Sequence, residues 1–135
     1  MKLSDYVAQK AVENGVKHVF MVTGGGAMHL NHSFGTHKDL ECIFNHHEQA
    51  CAIGAEAYYR QSNRLPIVNV TSGPGGTNTI TGVYGAWVDS IAMLVISGQV
   101  KWETTVRSTG LSLRQYGDQE LDIEELVRPV TKYCV

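Results

Sequence analysis

Pro66-Ile67-Val68-Asn69-Val70-Thr71-Ser72-Gly73-Pro74-Gly75-Gly76-Thr77-Asn78 joins a β-branched run to a glycine turn. The run from Pro66 to Val70 has the make-up of a buried strand. Gly73-Pro74-Gly75-Gly76 reads as a turn, and Thr77 to Val88 as the helix that follows it. Ile91 to Ile96 is the most apolar stretch of the chain and is expected to be a central strand. Upstream the same alternation repeats. Val7, Ala8, Ala11 and Val12 recur at helical spacing after Ser4, an expected N-cap, and Gly15 supplies a stop. His18 to Val22 reads as a strand, Gly24-Gly25-Gly26 as a turn into a helix over 27–34, Glu41 to Phe44 as a strand and His47 to Gln61 as a helix. Strands alternating with helices of this length predict an α/β fold, a parallel sheet with helices on both faces. After Val100 the alternation weakens. Lys101 to Asp118 reads as a long polar loop, a class that is often functional. Asp122 to Val127 reads as a short helix ending before Pro129, and Val130 to Val135 as the start of another element.

Composition narrows the functional classes. The 135 residues make about one domain, and 43% hydrophobic with 18% charged residues is ordinary for a folded protein. A net charge of -2, without blocks of like charge, argues against a nucleic-acid or anionic-membrane surface. Cys42, Cys51 and Cys134 are odd in number and never form CxxC, which fits a reducing compartment and argues against a disulfide framework or a thiolate zinc site. The N-terminus lacks the apolar core of a signal peptide, and no apolar run reaches the ~18 residues of a membrane span. Together these features predict a cytoplasmic domain.

Two segments could carry chemistry, and each has a plain structural explanation. In Asn45-His46-His47-Glu48-Gln49-Ala50, Asn45 and Glu48 have capping-box spacing, which would turn the Glu48 carboxylate back onto its own backbone. Adjacent histidines on a helix point about 100° apart and rarely share an ion. His29, His32 and His37 have no carboxylate or cysteine partners nearby in sequence, so no metal site is expected. In Ser72 to Asn78, a glycine turn between strand and helix offers free amides to an anion. The spacing is not GxGxxG and no Gly-Lys-Ser/Thr follows, so the same glycines could serve close helix–strand packing alone. Gly82 and Gly85 likewise suit close approach of another helix or of a partner subunit.

Taken in order, the segments resemble one family. His47-Glu48-Gln49-Ala50 with Ala55-Glu56-Ala57-Tyr58-Tyr59-Arg60 is similar to the HEQAA…AEGYAR segment of acetolactate-synthase-like thiamine-diphosphate enzymes. Ser72 to Asn78 resembles their SGPGxTN turn, and Ala86-Trp87-Val88-Asp89-Ser90 with Ile96-Ser97-Gly98-Gln99-Val100 their AYxDS…ITGQV. Gln119-Glu120-Leu121-Asp122-Ile123 with Arg128-Pro129-Val130-Thr131-Lys132 resembles FQExDI…RPITK. The ordered set covers nearly the whole chain.

The resemblance implies an N-terminal pyrimidine-binding domain, residues 1–135, that lacks its closing segment and is inactive alone. It implies thiamine diphosphate bound between two chains of a homo-oligomer, dimer or tetramer. Mg2+ and the diphosphate would be held by a partner chain's diphosphate-binding domain, through a GDG…N motif absent from this sequence. The reaction implied is decarboxylation and carboligation of a 2-oxo acid such as pyruvate. Glu48 matches the glutamate that hydrogen-bonds N1′ of the aminopyrimidine and activates the cofactor by sharing a proton. Gly24, Gly25, Ser72, Gly75 and Asn78 match cofactor-side positions, and Gln119 matches a substrate-side glutamine. Thr23 stands where the family usually has proline, and Asp118 where phenylalanine usually precedes the glutamine; both flank the substrate side. The other readings are a different thiamine-diphosphate decarboxylase or C–C lyase or hydrolase, a nucleotide- or flavin-binding α/β module, and a non-catalytic interaction domain.

Overall fold

The computed structural model describes residues 1–135. Its elements run α1 (Leu3–Glu13), β1 (His18–Met21), a 3-10 turn (Gly25–Ala27), α2 (Met28–Thr36), β2 (Glu41–Phe44), α3 (Glu48–Ser62), β3 (Ile67–Val70), α4 (Pro74–Thr77), α5 (Ile80–Val88), β4 (Leu94–Ser97), a 3-10 turn (Trp102–Thr104), α6 (Val106–Thr109), α7 (Ile123–Val127) and a 3-10 turn (Arg128–Val130). The four strands are all parallel, in the order β2-β1-β3-β4. Val19 pairs with Cys42 on one side and with Ile67 on the other, and Ile67 pairs in turn with Leu94.

Period-two alternation along the strands gives the sheet two apolar faces. Val19, Met21 and Ile67 pack with Ala8, Ala11, Val16 and Phe34, so α1 and α2 cover one face. Phe20, Val68 and Val70 pack with Cys51 and Ala55, so α3 covers the other. Small residues let α3 sit close: Ala52 and Ala55 are fully buried, and a Cβ on Gly54 would lie 3.3 Å from the Phe20 ring. Burial pushes the Cys51 thiol up, the nearby Glu48 charge adding to the effect, so Cys51 behaves as a small apolar residue.

Helix α5 packs on α3 rather than on the sheet. A Cβ on Gly82 would lie 2.5 Å from the Ala52 Cβ and 3.0 Å from the α3 backbone. The small-residue face read at Gly82 is therefore an internal seam. Arg60 reinforces it, bonding Glu56 within α3 and Asp89 at the end of α5. Gly82→Val is expected to destabilise the chain by about 3 kcal/mol, because the helices cannot part without opening the core. A denaturant midpoint within error of the parent's would contradict that packing.

Three local expectations are corrected. Ser4 is not the N-cap: α1 starts at Leu3 after Lys2, and the Ser4 hydroxyl instead accepts from Ser33 Oγ at 2.9 Å. Capping is local, whereas Ser33 is buried on α2 and needs partners there. The strand near Ile91–Ile96 is not central: β4 pairs only with β3, and Leu94 is exposed. Its apolar residues, with those of α5 and the segment after Val127, line an open groove of about 900 Å³. Finally, no regular element follows Val130. No helix is long and apolar enough to cross a membrane.

Candidate cofactor and substrate site

In a parallel sheet every strand ends at the same edge, and the chain leaves β1 and β3 there toward opposite sides. That divergence marks the edge outside the carboxyl ends of the strands, where folds of this kind usually bind ligands. The loops after β1, β2 and β3 all meet at this edge.

Thr71, directly after β3, is the peg between two of these loops. Its Oγ1 accepts from the Gly26 amide at 3.0 Å. A Cβ on Gly24 would lie 2.5 Å from the Thr71 Cβ, and one on Gly75 2.8 Å from the Thr71 Cγ2. Gly24 and Gly75 are thus small because the two turns close around a side chain of their own domain. Gly25 differs, being exposed with open space where its Cβ would be. Ser72 is buried, its hydroxyl facing Gly26. The Gly24 carbonyl is fixed from behind, accepting from Asn31 Nδ2 at 3.2 Å, while Asn31 accepts from the buried Asn69 at 2.7 Å.

Glu48 opens α3, where the free amides of the first turn favour a carboxylate. The cap of this helix is His47, whose Nδ1 accepts from the Gln49 amide at 3.1 Å. Asn45 does not form the reciprocal box; its amide donates to the Ile43 carbonyl. With the cap supplied by His47, Glu48 turns away from its own backbone. Its Oε2 accepts from Asn78 Nδ2 at 2.9 Å, the only hydrogen bond the carboxylate makes within the chain. Asn78 follows α4 and precedes α5, so the α3–α5 seam sets this distance. A half-buried carboxylate steadied on one oxygen, with the other available, can take or give a proton to a ligand at this edge.

Gln119 enters from the far loop. Its backbone is left-handed, φ +55°, and its carbonyl lies against Gly73, itself at φ +53°. The Gln119 side chain is exposed. The residues read from the sequence therefore fall into three groups at one sheet edge: Glu48 with Asn78, Gly24 and Gly75 around Thr71, and Gln119 on Gly73. No hydrogen bond joins Glu48 to Gly24 or Gly25. Thr71 and Gly26 take part without having been singled out from the sequence, and His47 serves as a helix cap. A β-branched hydroxyl between a strand and a glycine turn was the available signal for Thr71. No group of three or more His, Cys, Asp or Glu side chains could hold a metal ion.

The family model described as thiamine pyrophosphate enzyme, N-terminal TPP binding domain, matches residues 1–126. The chain belongs to this family. Its relatives include the acetolactate synthase large subunit of Buchnera aphidicola subsp. Acyrthosiphon pisum (strain APS), 37% identical over 131 residues, which are 96% of this chain and 21% of that protein. The large subunit from Lactococcus lactis subsp. lactis (strain IL1403) is 35% identical over 130 residues, again 96% and 21%. Acetolactate synthase isozyme 3 large subunit of Escherichia coli (strain K12) is 35% identical over 131 residues, with the same coverage. The chain thus spans about a fifth of the length of these relatives. The open backbone at Gly25 and the spare oxygen of Glu48 fit a flat, nitrogen-bearing heterocycle.

Proposed function

We propose that this domain holds the aminopyrimidine of thiamine diphosphate, with Glu48 as the acid that hydrogen-bonds and shares a proton with ring N1′. The supporting observation is the direction of Glu48: held by Asn78 rather than folded onto its own helix, it keeps one carboxylate oxygen for a ligand. When bound, thiamine diphosphate supplies a carbon that stabilises the carbanion left by decarboxylation of a 2-oxo acid. The protein's own contributions are positional. Asn78 steadies the Glu48 carboxylate, Gly25 offers its backbone to the ring, and Gly24, Ser72 and Gly75 close the wall around Thr71. Gln119 stands on the substrate side.

By similarity to the acetolactate synthase large subunits, the reaction is decarboxylation of pyruvate or a near relative, followed by joining to a second carbonyl compound. The diphosphate and Mg2+ are assigned to a diphosphate-binding domain of a partner chain, in a homo-oligomer. The free cysteines fit a cytoplasmic enzyme. The assembled enzyme, in which this domain faces a diphosphate-binding domain, is expected to bind thiamine diphosphate with Mg2+ and to release carbon dioxide from pyruvate. The 135-residue chain alone is expected to release none. Cofactor binding without carbon dioxide from pyruvate would overturn the substrate. No cofactor binding would overturn the domain's role.

Asn78→Ala separates support of Glu48 from cofactor contact. It removes one charge-assisted hydrogen bond and is expected to cost about 1 kcal/mol of stability and about tenfold in turnover. Thermal melts and steady-state rates check this; wild-type turnover would show that Glu48 needs no support.

A further inference from the structure

The segment from Lys101 to Leu121 is folded around one carboxylate that the reading above does not use. Glu120 Oε1 accepts from the Val106 amide at 2.6 Å, and its Oε2 accepts from the Gly117 amide at 3.0 Å. One side chain therefore ties the start of α6 to the far end of the loop. The loop is closely packed at that point. A Cβ on Gly117 would lie 2.6 Å from the Thr104 carbonyl and 2.7 Å from Val100 Cγ2, and Thr105 is buried nearby in sequence. On the other side, Gln99 Nε2 donates to the Leu121 carbonyl at 2.7 Å. Gln119 lies between these two holds. Its left-handed backbone is one that a side-chain-bearing residue keeps only where its surroundings impose it.

We propose that Glu120 is a positioning residue for substrate recognition: by buckling the Val106 and Gly117 amides together it presents the Gln119 side chain at the glycine turn. The proposal rests on Gln119 standing on the substrate side. Its chemistry requires two acceptor oxygens. Glutamine at 120 would keep one, and would set an NH2 donor against the second amide donor. The buckle acts on Gln119 and not on Glu48, so it governs affinity for the 2-oxo acid rather than cofactor binding.

The test compares Glu120→Gln, Glu120→Ala and Gln119→Ala. Hydrogen exchange of the 135-residue chain reads the buckle: in Glu120→Ala the Val106 and Gly117 amides should exchange at least about tenfold faster, with Val68 and Val70 unchanged. In the assembled enzyme, KM for pyruvate should rise about tenfold, while kcat and the Kd for thiamine diphosphate stay within about twofold. Glu120→Gln should fall between the parent and the alanine variant on both readings. Unchanged exchange at the two amides would overturn the buckle. Lost protection with unchanged KM, while Gln119→Ala raises KM, would overturn positioning and leave Gln119's role intact. Unchanged KM in Gln119→Ala would overturn the proposal at its premise, the substrate-side reading of Gln119.

Discussion

Glu48→Gln in the assembled enzyme is expected to lower turnover by about 10² to 10⁴ while leaving the melting temperature within a few degrees of the parent's. The glutamine carbonyl can still accept from Asn78 Nδ2, so the link between α3 and the α4–α5 corner survives. His47 and not residue 48 caps α3, so the helix start is also untouched. What the amide cannot do is hold and release a proton at N1′. The loss should fall on kcat, with affinity for thiamine diphosphate reduced far less. Steady-state kinetics together with cofactor titration measure both. Turnover equal to the parent's would show that proton sharing at residue 48 is not part of the reaction. A collapsed melting temperature would return Glu48 to a structural role.

The second large effect is expected at Gly73. Its φ of +53° with ψ -111° is a conformation that residues with a Cβ rarely adopt, and that Cβ would lie 2.3 Å from the Gln119 carbonyl. Gly73→Ala therefore combines backbone strain with a collision against a backbone atom that cannot rotate aside. A cost of about 3 kcal/mol is expected, seen as a melting temperature lower by roughly 10 °C. The only relief is to move the segment carrying Gln119, so KM for the 2-oxo acid should rise as well. Gly25→Ala is the matched control: its Cβ meets nothing within 4 Å, and the fold should tolerate it within about 0.5 kcal/mol. Because Gly25 faces the proposed ring, that variant should instead weaken thiamine diphosphate binding. Equal stability loss in the two variants would erase the distinction between a packing glycine and a ligand-facing one.

Much of this architecture was legible in the sequence. The alternation of β-branched runs with Ala-rich and Gly-rich helices declares parallel strands, because each strand is short and each return passes through a helix. Strand order was not legible. Ile91 to Ile96 is the most apolar stretch, yet β4 lies at the edge and its side chains line a groove. Hydrophobicity records that a surface is covered or waiting to be covered, not by which element. The direction of Glu48 was equally hidden. Asn45 and Glu48 satisfy the local rule for a capping box, and the outcome is decided by Asn78, whose approach depends on Gly82 meeting Ala52. The organisation of the long polar loop was not legible because the bond that closes it runs from Glu120 back to the Val106 amide, beyond any local pattern. The ordered motifs hold residues that three separate loops bring to one edge of the sheet.

The most direct measurement is the position of the Glu48 carboxyl in a crystal structure of the assembled enzyme with thiamine diphosphate and Mg2+. The expected result is a carboxyl oxygen about 2.6 to 3.2 Å from N1′, with the second oxygen still bonded to Asn78. A carboxyl directed into bulk water, with another group against N1′, would contradict it.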